Sequence, residues 1–93
     1  MKTITQGVIH KWTLAIGTCQ HIRHPRAARV LSVQEQAGEL VMWLLVSPSE
    51  PMVLREIYIY GTGHAVDTYG EYNGTVQHGA LVWHVFSREV ATP

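Results

Sequence analysis

Gly61-Thr62-Gly63-His64 is the segment of this 93-residue chain that lies closest to a binding chemistry. Two glycines one residue apart let backbone N–H groups approach an anion, and the Thr62 hydroxyl and His64 ring add hydrogen-bonding groups. No helix signal follows, so the segment is not a known nucleotide-binding fingerprint. A glycine-rich turn that only redirects the chain is the alternative reading. Tyr58 and Tyr60 precede the turn on one side of an alternating segment, a placement that suits stacking on a planar ring. Such rings also supply core area in a small sheet protein. Arg23, Arg26 and Arg29 crowd one stretch and could meet phosphates. The candidate ligand-binding set is therefore Arg23, Arg26, Arg29, Tyr58, Tyr60, Gly61, Thr62, Gly63 and His64.

The other reactive side chains assemble less well. Six histidines raise the question of a metal, but His21 and His24 have no nearby thiol or carboxylate to complete a ligand set. His84 sits among apolar residues and reads as a hydrogen-bonded core or interface histidine, and His78 as a turn residue. Cys19 has His21 two positions on, a spacing that does not by itself activate a thiol. No catalytic residue, metal site or cofactor is assigned.

The formal net charge is zero, yet residues 1–34 carry +5 and residues 35–93 carry −5. A neutral chain argues against binding duplex nucleic acid, which draws on a surplus of basic charge. With 46% hydrophobic and 15% charged residues the chain is a folded domain rather than a disordered tail. The longest apolar run, 40–46, is too short to span a bilayer as a helix. The first residues lack the apolar stretch of a signal peptide, and a single cysteine fits a reducing compartment, so an intracellular protein without a membrane role is expected.

The elements that must position these groups are strands. Residues 8–16 alternate, 17–25 read as a polar connection, and 29–36 and 39–46 form a hairpin about Ala37-Gly38. Segment 40–46 is apolar on both faces, so both must be covered, the second by another copy of the chain. Two prolines make 47–51 a loop. Residues 53–60 form a fourth strand, and 71–77 and 80–86 a second hairpin about His78-Gly79. The expectation is one all-β domain over 1–93, ordered over about 8–86. About six antiparallel strands would form a small sandwich or partly closed barrel with two hairpins.

One resemblance spans roughly residues 8–86. His24-Pro25, the stretch 30–36, Met42-Trp43, the 59–64 block ending in Gly-Thr-Gly-His, Gly74-Thr75 and the Val-Trp-His-Val-Phe block at 82–86 appear in order. This succession resembles a family of short proteins of unknown function encoded by bacteria and especially their phages. The resemblance implies a phage protein in the host cytoplasm that counters host defence. On that basis the expected function is non-enzymatic sequestration of a small anionic, nucleotide-derived signal by a homo-oligomer. The alternatives are an inhibitor that covers a host protein and a small hydrolase of such a signal.

Overall fold

The computed structural model describes residues 6–17, 19–67 and 70–90. Seven strands form: β1 (Val8–Leu14), β2 (Gln20–Pro25), β3 (Arg29–Gln36), β4 (Glu39–Val46), β5 (Met52–Gly61), β6 (Glu71–His78) and β7 (Leu81–Val90). They make two antiparallel sheets, β1-β4-β3 and β2-β5-β7-β6, that pack as a small sandwich and not as a closed barrel.

The hairpins form where turn residues permit. Ala37 and Gly38 both have positive φ (52° and 82°), the conformation a two-residue hairpin turn requires. The β6–β7 turn falls on Gly79-Ala80, one residue later than expected, with Gly79 at φ 63°.

The expected polar connection 17–25 is in part a strand, and this accounts for the seventh. β2 pairs along β5 from Gln20 opposite Ile57 to Pro25 opposite Met52. Its inward side carries Ile22 and His24 and its outward side His21 and Arg23. Histidine at a buried position hides the alternation that Ile22 alone cannot reveal.

The core lies between the sheets. Leu40, Met42, Leu44 and Val46 of β4 face Ile57 and Ile59 of β5, Val76 of β6 and Val85 of β7. On the outer side of β4, Val41 is 2% exposed and Leu45 37%. Lys11 on β1 reaches across β4 to Gln36 on β3 (Nζ to Oε1 2.7 Å), so its stem passes over Val41. Part of the second cover for this strand thus comes from the chain itself.

One end of the interlayer is polar. Arg55 is 5% exposed and His24 and Ser87 are fully buried. Arg55 donates from Nε to His24 Nε2 (3.0 Å) and from Nη1 to Ser87 Oγ (2.9 Å), and Ser87 donates to Asn73 Oδ1 (2.5 Å). His24 donates from Nδ1 to the Pro25 carbonyl (2.7 Å), and Trp12 meets its ring edge-on. Burial holds His24 below its ordinary range. The Pro25 carbonyl opposes that shift, and Arg55 adds to it.

Two outcomes test this arrangement. Leu44→Ala should lower stability by about 2–5 kcal/mol, whereas its neighbour Leu45→Ala should change it by under about 1 kcal/mol, read by urea unfolding. Because folding depresses the proton affinity of His24, the unfolded chain binds more protons below pH 6.5. Stability is therefore full above that pH and declines as acid is added. Urea midpoints at about pH 7.5 and about pH 5.5 should show the decline, and His24→Gln should flatten it.

Candidate functional site

The site is built on the face of the second sheet that points away from the core. Val53, Arg55, Ile57 and Ile59 turn inward on β5, so Glu56, Tyr58 and Tyr60 turn outward. Register sets Phe86 beside Tyr58 and Tyr72 beside Phe86. In the next row His84 stands between Tyr60 and Thr75. The rings meet edge-on or tilted: Tyr60 and Phe86 have centroids 6.3 Å apart at 67°, Tyr72 and Phe86 5.4 Å apart at 59°.

The described parts of the connection from β5 to β6, residues 62–67 and 70, begin and end against β7. β5 and β6 are both antiparallel to β7 and flank it, so the chain leaving β5 must run back over β7 before β6 can start. The inner face is occupied by the other sheet. At the start of the crossing Thr62 Oγ1 lies 2.7 Å from His84 Nε2, and His84 Nδ1 lies 3.1 Å from Thr75 Oγ1. Thr75 in turn bonds the Tyr72 hydroxyl (2.5 Å). Near its end, a Cβ on Gly70 would stand 2.7 Å from the Ser87 carbonyl oxygen, so only glycine passes there.

The 61–64 turn closes on itself. His64 N–H donates to the Gly61 carbonyl (3.1 Å), and Gly61 N–H donates to His64 Nδ1 (3.2 Å). A neutral ring that accepts at Nδ1 carries its proton at Nε2, its remaining polar group. A Cβ on Gly61 would lie 2.9 Å from His64 Cε1, so glycine there lets the imidazole fold back over the chain. Between this turn and Ala80, Leu81, Val82 and Trp83 opens a pocket of about 350 Å³, lined by Gly61, Thr62 and His64 on its other side. The indole Nε1–H of Trp83 is buried with no hydrogen-bond partner among the described residues.

The fold brings Gly61, Thr62 and His64 to the pocket, with Gly63 in the turn at φ 90°, whereas Tyr60 stands outside the lining, opposite His84 and with its ring against Phe86. Tyr58 lies on the same face but is 9% exposed, its hydroxyl donating to Glu56 Oε1 (2.6 Å). The arginines are elsewhere. Arg23 sits opposite Leu54, seven residues down β5 from Gly61, or about 23 Å at strand spacing. Arg26 pairs with Glu50 (3.0 Å), and Arg29 belongs to the other sheet, opposite Leu45.

His84, Thr75, Tyr72 and the 80–83 wall are additions that sequence reasoning did not make. A hairpin turn at 79–80 pairs 75 with 84, whereas a turn at 78–79 breaks that pairing, so the signal was the turn position. Nearer the middle of the face, Glu56 collects Tyr58, Arg88 (2.7 Å from Nε) and His21 (3.5 Å). The Tyr58 hydrogen bond, then Arg88, hold its carboxyl at about 2. Among the described residues no three histidine, cysteine or carboxylate side chains gather to hold a metal ion.

An antiparallel sandwich with a pocket where a strand-to-strand crossover begins defines a small β-domain with a surface site. Residues 5–93 match the domain of unknown function DUF7352, and the chain belongs to that family. No curated protein and no solved structure matches it.

Two measurements check this geometry. A double-mutant cycle of Thr62→Val and His84→Gln should return a coupling of about 0.5–1.5 kcal/mol, and a value near zero would remove the Thr62–His84 bond. In an NMR titration, Tyr58→Phe should move Glu56 from about 2 toward its ordinary 4.5.

Proposed function

We propose that this chain is a non-enzymatic binding protein that holds a small nucleotide-derived ligand at the 61–64 turn. The observation that carries the reading is the pocket between that turn and the 80–83 wall. Its volume of about 350 Å³ lies at the small end of the range for ligand sites, large enough for a nucleoside-sized group. Its walls are mainly apolar, with a hydroxyl and an imidazole as polar groups, the usual composition of a ligand site. A binding role also suits the chemistry at hand. Among the described residues the hydrogen-bond partners of His84 are hydroxyls and that of His64 is a backbone N–H, so neither ring is there paired with a carboxylate that would support a base.

The resemblance to phage proteins supplies the setting: sequestration of a defence signal in the host cytoplasm, by an assembly of several copies. A second reading, a surface that covers a host protein, has one observation in its favour. Ile9 is 60% exposed and lies opposite Leu45 on the outer face of the first sheet.

Calorimetry against mononucleotides and cyclic dinucleotides separates the two. Binding should appear for part of the panel, fall about tenfold or more in Gly61→Ala, where the new methyl displaces His64, and persist in Arg29→Ala. Absence of heat across the panel would put the protein-covering reading first.

A further inference from the structure

Resting on that reading, we propose that the pocket receives the uncharged planar ring of its ligand, a nucleobase, and leaves any phosphate in solvent. The distribution of cations argues this directly. Of the described arginines and lysine, none lines the pocket. Lys11 is bound to Gln36 on the first sheet, Arg26 to Glu50 and Arg88 to Glu56. Arg55 is enclosed between the sheets by His24 and Ser87. Arg23 and Arg29 stand at the far end of β5 and on the other sheet. A phosphate drawn into this pocket would lose its hydration with no cation to replace it, a transfer that burial strongly opposes.

The walls favour the opposite end of a nucleotide. The wall of residues 80–83 is mainly apolar and can meet the faces of a flat ring, while the Trp83 side chain also packs against the core. The polar groups stand on the other side, at Thr62 and His64. Thr62 has its hydroxyl engaged by His84, and His64 has its Nδ1 engaged by Gly61. Of these two residues, what is left for a newcomer is the Nε2–H of His64, a donor suited to a ring nitrogen or carbonyl. That pattern is apolar on the face and sparingly polar at the edge, which is the pattern of a base.

The test compares adenosine and guanosine with their 5′-monophosphates by calorimetry at low and high salt, and follows the Trp83 indole resonance by NMR. The expected result is that the nucleoside of the preferred base binds within about threefold of its monophosphate, with little change between about 50 and 500 mM salt. The Trp83 resonance should shift in both cases, and Leu81→Ser should weaken both by the same factor. A monophosphate that binds at least about tenfold tighter than its nucleoside, with strong salt dependence, would overturn the inference and leave the binding function standing. Silence from all four compounds, where cyclic dinucleotides or other nucleotides do bind, would overturn it also. Silence from every nucleotide would remove the binding function itself.

Discussion

The insertion of β7 between β5 and β6 is the constraint on which the candidate site depends. Two parallel strands separated by a third cannot be joined by a tight turn, so the chain must return along β7 before β6 begins. That journey explains several local choices together. Glycine stands at 61, where His64 folds back, and at 70, where the chain presses on β7. Thr62 is held by His84 where the crossing begins. The pocket is the space left where the departing chain and the incoming β6–β7 turn fail to meet.

Much of the sandwich was legible. Segments 29–36 and 39–46 carry clear strand patterns around a glycine turn, and their bounds agree with β3 and β4. β2 was missed because its inward positions include His24, and a buried histidine reads as polar until its partner Arg55 is known. The site was legible in part. The glycines and Thr62 mark the turn, but the company it keeps depends on pairing register, and a one-residue error in placing the β6–β7 turn hides the line from Tyr72 to His84. The arginines were grouped by nearness in sequence. Strand geometry then distributes Arg23, Arg26 and Arg29 over an edge strand, a turn and the opposite sheet.

The two sheets meet on unlike terms. The first contributes an aliphatic face from β4. The second answers with aliphatic residues at one end and, at the other, a hydrogen-bonded line from His24 through Arg55 and Ser87 to Asn73. That line touches all four of its strands, β2, β5, β7 and β6, in order. Among the described residues Arg55 has no direct carboxylate partner, and burying such an arginine is unfavourable unless its hydrogen bonds are made. The line therefore fixes how the strands sit against one another where apolar packing alone would tolerate sliding.

The crossover also separates a local pairing from a distant one. The β6–β7 hairpin joins neighbours in sequence and can zip on the scale of microseconds. β5 pairs with the far edge of β7, matching Leu54 with Val90 and Gly61 with Trp83. That pairing closes a much longer loop than the β6–β7 turn, so it carries the larger entropic cost of the two. Without β5, β7 has an open edge and the pocket has one wall. The pairing that joins β5 to β7 is thus also the one that closes the pocket.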